Sequence, residues 1–263
     1  MPMRFIILCL LFPGFGYLRL GHTKHFYASV LLLYSIIISG SLFRLFPAFA
    51  GFVTIALLIC VLHFGTALHA ILKWKELKAS ANQSGLKMIA TGILFLATVT
   101  CFGNSATTMG FDRVSMTVPV MEPTIKTGEQ LLVDTWIYSS KQPQRGDIVI
   151  HRFADQKGIY LNRIIATPGD IIEIRDGTLY INGTLQAEMY VLPKNAERAE
   201  SRELPNIIVP SNSYFVMGDN RDRSFGDSRF SGMVKLEDIK GKVTCILYST
   251  QTSRIGNCPG GAP

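Results

Sequence analysis

Long stretches without a single charged residue constrain this chain more than any other feature. Residues 26–43 and 45–72 are uncharged and strongly apolar, and a third uncharged stretch covers residues 88–111, most apolar over 88–102. A helix needs about 20 apolar residues to cross a bilayer, and each stretch is close to that length. We therefore expect membrane-spanning helices in the first part of the chain, and these stretches explain its hydrophobic content of 48%.

A shorter apolar run, residues 5–18, is interrupted by one proline and two glycines. It fits a short span, a re-entrant segment or the core of a signal peptide. No small-residue cleavage site follows it, and Arg19 and Lys24 come next, so we interpret the run as retained in the mature protein. Residues 1–103 are accordingly predicted to form a membrane anchor of three or four apolar helices, and whether the first run spans the bilayer stays open.

Charge is distributed unevenly between the two parts of the chain. Residues 112–263 contain 18 basic and 18 acidic residues, whereas residues 1–111 contain 8 basic residues and one acid. The net charge of +7 therefore belongs to the membrane part and gives no indication of nucleic-acid binding.

The basic residues of the membrane part also predict its orientation. Four lysines lie in the loop between the apolar stretches 45–72 and 88–111, and the positive-inside rule places that loop in the cytoplasm. Everything after about residue 104 is then on the outer side of the membrane, and Arg44 is the single charge that opposes this orientation. The loop lysines are Lys73, Lys75, Lys78 and Lys87.

From residue 112 onward, short runs rich in β-branched and aromatic residues alternate with turns. Asp176-Gly177 and Asn182-Gly183 are typical of tight turns, and the polar, charged segment 193–205 is expected to be a solvated insertion. The predicted fold class is therefore N-terminal transmembrane α-helices followed by a mostly antiparallel β domain, residues 104–263, that is exported. The predicted strands are 130–138, 147–153, 159–166, 171–175, 178–182, 213–217 and 243–248.

Cysteines and histidines leave alternatives open. Of the five cysteines, Cys245 and Cys258 lie in the part predicted to be exported, where a disulfide persists. The alternative is a buried Cys245, within a strand-like run, and a free Cys258. His63 and His69 are six residues apart and point to different helix faces, which makes them a poor metal pair. His151 lies in a predicted strand, and we interpret it as a packed or surface histidine rather than a base.

Four motifs follow one another in the second part of the chain: VMEPTIKTGE at 120–129, RGDIV at 145–149, NRIIATPGD at 162–170 and MGDNRDRSFGDSR at 217–229. Their order, content and spacing resemble the type I signal peptidases, which are membrane-anchored serine proteases with a Ser/Lys dyad. The resemblance covers essentially the whole exported part. It implies a β-rich domain at the membrane surface, a membrane anchor, no cofactor and no metal. The apolar runs are more numerous than the one or two spans common in the family, and together with the lysine-rich loop they predict a multi-pass protein of the bacterial cytoplasmic membrane whose residues 104–263 are periplasmic or extracellular.

The nucleophile box of that family reads S-M-x-P-T-L, and two registers compete for it here. The register that begins at Ser115 has its proline one place late and lacks the threonine. The other register matches Met121, Pro123 and Thr124, and it puts Val120 at the position of the serine. The resemblance therefore assigns the nucleophile position to a valine.

The base box of the family reads K-R-x-x-G-x-P-G-D, and here Asn162 stands where the lysine is expected, followed by the matching Arg163. A valine has no lone pair for attack, and an amide is not a useful base near neutral pH. The sequence therefore predicts a catalytically inactive homologue that still binds signal-peptide-like extended segments or an active relative. The alternatives are an active peptidase with a displaced pair such as Ser115 and Lys157, and a structural membrane docking module.

Other motif residues match family positions that form a buried polar scaffold around the site. They either hold a retained binding groove or only the ion pairs and turns of the β domain. In the family, the residue that matches Ser228 orients the lysine, so here we expect it to contact Asn162. The expected partners are the lipid bilayer and signal peptides or an active signal peptidase, and nucleic acid is excluded. The scaffold residues are Arg163, Asp219, Asn220, Arg221, Asp227, Ser228 and Arg229.

Overall fold

The structure is a computed structural model of the chain. The chain divides into two compact units, residues 1–110 and 111–263. The residues described are 22–43, 45–73, 109–154, 158–191 and 197–260, together with the single residues Ile6, Tyr17, Glu76, Ile93 and Gln156.

The described part of the first unit contains two long helices, α1 (Thr23–Leu42) and α2 (Phe49–Leu72), which correspond to the first two long uncharged runs. An 18-residue stretch of α2 has a mean hydropathy of 2.2, and only 17% of that stretch is buried. Apolar side chains that face outward are costly in water and favourable in lipid. Among the described residues, α2 is the one helix that is long and apolar enough to cross a membrane.

The predicted anchor of three or four helices extends past the described residues. Apart from three isolated positions, the apolar runs 5–18 and 88–102 lie outside them, as do Arg19, Arg44 and three of the four loop lysines. The membrane orientation that these charges indicate therefore stays a prediction.

Seven strands of the second unit form one antiparallel sheet in the order β1-β2-β11-β3-β4-β9-β10. Hydrophobic clusters cover both faces of this sheet. All four residues of β3 are buried for this reason, and its first three residues are all apolar rather than alternating with polar ones. The strands are β1 (Phe111–Ser115), β2 (Gln130–Asp134), β3 (Ile148–His151), β4 (Tyr160–Ala166), β9 (Ser213–Met217), β10 (Val234–Lys235) and β11 (Ile239–Tyr248).

A second antiparallel sheet has the order β7-β6-β5-β8. It contains β5 (Ile171–Arg175), β6 (Thr178–Ile181), β7 (Thr184–Leu185) and β8 (Leu204–Ile208). Asp176 and Gly177 join β5 to β6 with φ of 48° and 76°, and Asn182 and Gly183 join β6 to β7 with φ of 54° and 75°. Two successive positive φ values are the signature of a type I′ hairpin, so the predicted turns and the antiparallel fold class are confirmed.

Four strands of the β domain were not predicted, namely β1, β7, β8 and β10, and the sequences of β1 and β8 explain why these two were missed. The sequence of β1 is FDRVS, and its two charged residues obscure the pattern typical of a strand. The segment is extended because it pairs with β2. β8 begins inside the segment predicted to be a solvated insertion, and most of residues 197–205 are exposed as expected, with Ser201 as the exception. Ser201 is buried there, and its Oγ accepts a hydrogen bond from Arg229 Nη1 at 2.9 Å.

Candidate active site

Val120 lies on the connection between β1 and β2, in one turn of 3₁₀ helix formed by Pro119–Met121. Met121 is fully buried beneath it. Asn220 fixes this turn from outside, since its Nδ2 donates to the carbonyl of Pro119 and its backbone N–H donates to the carbonyl of Val120, both at 3.0 Å. The isopropyl group of Val120 therefore has a fixed position at the site, and it offers no atom that could attack a carbonyl.

The loop after Val120 is held by the C-terminal part of the chain. Pro123 and Thr124 lie in this loop, and Arg254 Nη2 donates to the carbonyl of Thr124 at 2.7 Å. Arg254 Nε also donates to Glu129 at 2.6 Å, and Ser249 Oγ donates to the same carboxylate at 2.9 Å. Burial alone would raise the pKa of Glu129, but the hydrogen bonds from Arg254 and its other partners outweigh it and lower the pKa.

Asn162 is buried in the middle of β4, opposite Val149 of β3. Its Oδ1 lies 2.8 Å from His151 Nε2, and its Nδ2 donates to Ser224 Oγ at 3.4 Å. Burying an amide is costly unless both of its ends are hydrogen-bonded. The side chain at the predicted base position therefore belongs to a buried polar chain, His151–Asn162–Ser224.

This polar chain determines the protonation of His151. The Asn162 oxygen as placed favours a proton on Nε2; Nδ1 makes no hydrogen bond among the described residues, although the Arg152 backbone is near enough to raise the pKa of the ring. Burial lowers the pKa of His151 by more than the hydrogen bond to Asn162 raises it, so the imidazole is neutral.

Buried ion pairs hold the loop that borders the site. Arg163 donates to Asp219 through two parallel hydrogen bonds of 2.8 and 2.7 Å, and the two side chains are only 3% and 1% exposed. Each buried charge needs such a partner, because an unpaired one is strongly destabilising. The other pairs of this region are Arg221 with Glu188 and Arg229 with Asp227.

Ser228 does not contact Asn162, so that prediction is wrong. Its Oγ accepts a hydrogen bond from the Val216 backbone N–H at 2.9 Å. The reason is that Asp227 caps a short helix, α3 (Ser228–Ser231), whose first residue lies against β9. Ser224, four residues earlier in the loop, is the serine that reaches Asn162.

An open groove of about 660 Å³ borders Val120 and Asn162, which is within the size range of small-ligand pockets. Its walls are the segment 114–120, the segment 159–162 with Ile150, and the loop 222–226 without the buried Ser224. Three apolar side chains of these walls are exposed to solvent, namely Val118, Ile159 and Phe225. The groove is therefore suited to bind apolar groups.

Ser115 also lines this groove, at the exposed end of β1. Lys157, the other member of the displaced pair, lies outside the described residues. Among the described residues that line the groove there is no lysine or histidine, and the two charged residues are Asp222 and Arg223. Backbone N–H groups of Glu197 and Arg198 engage the Asp222 carboxylate. No described group in the groove is thus placed to activate the Ser115 hydroxyl.

A sequence profile described as signal peptidase, peptidase S26, matches residues 88–248, which is more than half of the chain. The chain belongs to the signal peptidase family. The matched range contains Val120, Asn162 and every predicted scaffold residue, so the resemblance inferred from the four motifs is confirmed.

Individual signal peptidases show the same similarity. Signal peptidase I of Bacillus licheniformis is 38% identical over 135 residues, which cover 49% of this chain and 72% of the relative. Signal peptidase IB of Staphylococcus aureus (strain Mu50 / ATCC 700699) is 34% identical over 138 residues, which cover 47% and 71%. A crystal structure of a signal peptidase I from Enterococcus faecalis V583 is 34% identical, covers 40% of this chain and 98% of that chain, and has a TM-score of 0.36.

Two residues of this signal peptidase-family site were missed by sequence reasoning, His151 and Ser224. The signal for His151 was the antiparallel hairpin of β3 and β4. His151 is opposite Tyr160, which makes Asn162 its diagonal neighbour on the same face, within reach of a long side chain. For Ser224 there was no comparable signal, because the course of the loop decides which of its serines faces β4.

We expect His151→Phe to remove a pH dependence of the stability. The folded-state pKa of His151 is lowered from its ordinary 6.5, so the unfolded chain takes up the proton first as the pH falls. The free energy of unfolding is then highest above about pH 6.5 and decreases below it, by up to about 1.4 kcal/mol per pH unit, until the folded pKa is passed. Denaturant unfolding of the full chain in micelles, followed by tryptophan fluorescence between pH 7.5 and 5, measures this slope.

The exposed His25 provides the control for this measurement. His25→Phe should keep the wild-type slope. His151→Phe should lower the stability at high pH, because Asn162 loses its partner, but flatten the slope. Equal slopes in the two variants would contradict the assignment.

Proposed function

We propose that this chain is a signal peptidase-family membrane protein that binds extended, signal-peptide-like segments without cleaving them. One observation carries the proposal. Val120 and Asn162 stand at the positions that the resemblance assigns to the nucleophile and the base, and yet the groove beside them is open and apolar. The catalytic side chains are replaced at the same place where an apolar binding surface is present.

The chemical half of the proposal follows from the side chains. Cleavage of an amide by this family's route needs a hydroxyl to attack and a neutral amine to take its proton. Val120 has no hydroxyl, and both ends of the Asn162 amide are engaged, by His151 and Ser224. Nδ1 of His151 is buried, and His151 is not among the residues that line the groove, so it does not substitute as a base.

The binding half follows from the groove walls. β1 is at the edge of its sheet, and an edge strand can add an extended peptide through main-chain hydrogen bonds. Side chains of that peptide would meet Val118, Ile159 and Phe225, which are apolar and exposed. Apolar segments of this kind form the cores of signal peptides.

The location completes the proposal. We place several membrane spans in residues 1–103 and the β domain on the outer side of a bacterial cytoplasmic membrane, where exported segments emerge. The support is the apolar helix α2 and the lysine-rich loop after it, which the positive-inside rule assigns to the cytoplasm. The partners are then the bilayer and the signal peptides, held by this chain alone or beside an active relative.

Binding of a fluorescently labelled synthetic signal peptide to the full chain in micelles tests the proposal. We expect saturable binding by anisotropy, and mass spectrometry should find the peptide intact. Ile159→Asp should raise the Kd at least about tenfold, because it places a charge where an apolar side chain would be buried. Ile208→Asp is the matched control and should leave the Kd unchanged, since Ile208 is 67% exposed on β8 and Ile159 is 61% exposed in the groove.

Each contrary result has a clear meaning. Cleavage by the wild-type chain that is lost on Ser115→Ala would establish a displaced nucleophile and overturn the proposed inactivity. Absence of binding, or equal weakening by Ile159→Asp and Ile208→Asp, would overturn the groove as a binding site and favour a docking module.

A further inference from the structure

The last described residues run antiparallel to β11 and bring Cys258 opposite Cys245. The backbone N–H of Ile246 donates to the carbonyl of Asn257 at 2.9 Å. In an antiparallel ladder, such a bond flanks a pair of directly opposite residues that are not hydrogen-bonded to each other, and here that pair is Cys245 and Cys258. The second flanking bond would need the N–H of residue 259, which is a proline and has none.

Further contacts agree with this register. The Gly256 N–H donates to the carbonyl of Ile246 at 2.8 Å, which places two residues opposite one, as in a bulge. A Cβ at Gly260 would lie 3.2 Å from the carbonyl oxygen of Val243. Gly260 is therefore opposite Val243, as expected if the register of Cys258 and Cys245 is kept for two more residues. Burial, and in addition the Cys258 thiol nearby, raise the pKa of Cys245 to about 11.

Opposite residues of this kind have Cα atoms about 4.5 Å apart, which is a separation that disulfides span. Both cysteines are free thiols in this structure, Cys245 buried and Cys258 exposed. We propose that Cys245 and Cys258 form a cross-strand redox pair that closes to a disulfide by exchange with an oxidised low-molecular-weight or protein disulfide. This inference goes beyond peptide binding and does not depend on it.

The exchange proceeds in two steps. The exposed Cys258 thiolate attacks the oxidant disulfide, forms a mixed disulfide and releases one thiol. The Cys245 thiolate then attacks the Cys258 sulfur and releases the second thiol. The two protein thiols give up two protons and two electrons, and the oxidant disulfide takes them up. The second step is the slower one, because Cys245 is buried and its thiolate is scarce at neutral pH.

Closure of the pair affects the candidate site through the residues between the two cysteines. Arg254 donates to Glu129 and to the carbonyl of Thr124, and Lys126 Nζ donates to Gln251 at 3.0 Å. This segment therefore supports the loop that follows Val120. A disulfide would fasten the end of the segment to β11 and make the support of that loop sensitive to oxidation.

A tryptic map of the full chain under non-reducing conditions tests the pair. The protein in micelles is incubated with oxidised glutathione, quenched with acid and digested. Trypsin cleaves after Lys242 and Arg254, so the disulfide joins the peptides 243–254 and 255–263. We expect this joined species to become the main form of both cysteines, and to disappear with dithiothreitol.

Stability gives a second readout. A disulfide that closes a loop of this length should raise the midpoint of thermal unfolding by on the order of 5 °C after oxidation. Cys258→Ser should show no such shift, and Cys60→Ser should show the wild-type shift. A lasting glutathione adduct on Cys258 with a free Cys245, or a bridge from either residue to another cysteine, would overturn the proposal.

Discussion

Val120→Ser combined with Asn162→Lys is expected to give this chain a proteolytic activity that neither substitution gives alone. The hydroxyl and the amine act as a unit, so either one without the other contributes almost nothing. The turn that carries Val120 is already fixed by Asn220, and the side chain at 162 already reaches Ser224. Cleavage of a secretory precursor by the full chain in micelles, with the product mass defining the cut, measures the effect.

The control for this reconstruction is Val120→Ala with Asn162→Lys, which has the amine but no hydroxyl and should stay inactive. A folded Ser/Lys variant that binds peptide but cleaves nothing would show that more than the dyad has been lost. In that case, the geometry around the residue at 120 no longer stabilises the developing oxyanion.

We expect His151 to lower the cleavage rate of the variant that combines Val120→Ser with Asn162→Lys. A lysine acts as a base only when an apolar environment lowers its pKa. The imidazole that now contacts Asn162 at 2.8 Å would instead accept a hydrogen bond from the ammonium and stabilise the charged form. Adding His151→Phe should raise the rate at neutral pH at least about tenfold and shift the pH–rate profile to lower pH. An unchanged profile would contradict this role of His151.

The sequence predicted most of the fold because its signals are local. The Asp176-Gly177 and Asn182-Gly183 turns need only two residues each, and their positive φ values agree with the hairpins expected there. β1 could not be predicted in this way, because its pairing with β2 rather than its own composition makes it a strand. β8 begins in a polar segment and pairs with β5 across a long separation in sequence.

In the candidate site too, the features set by neighbouring residues in the sequence could be predicted, and those set by contacts between distant segments could not. The motifs identified Val120 and Asn162 from the spacing of their neighbours. What surrounds Asn162 depends on how separate elements pack, and for that reason Ser224 rather than Ser228 is its partner. The hydrogen bond to His151 follows from the register of β3 and β4, which composition alone does not give.

Arg163 is at the centre of the buried polar scaffold of the candidate site. Arg163 pairs with Asp219 through two hydrogen bonds, and its Nη1 donates to the carbonyl of Gly146 at 2.9 Å. Its guanidinium also stacks on the ring of Tyr190, 4.1 Å from the centroid. Asp219 directly precedes Asn220, which fixes the turn of Val120. The ion pair therefore supports the groove wall as well as the fold.

Arg163→Ala is expected to lower the free energy of unfolding by about 3–5 kcal/mol, because it removes the guanidinium and its two hydrogen bonds from the buried Asp219 carboxylate. Arg163→Met combined with Asp219→Leu should recover most of this loss, since an apolar pair of similar volume leaves no such charge. Arg175→Ala is the control and should cost under about 1 kcal/mol, because its pair with Glu173 is 54% and 23% exposed. Denaturant unfolding of the full chain in micelles measures all three variants. If Arg163→Ala lowered the free energy of unfolding as little as Arg175→Ala, the ion pair of Arg163 and Asp219 would be dispensable for the fold. The presence of the buried scaffold would then have to be explained by the groove alone.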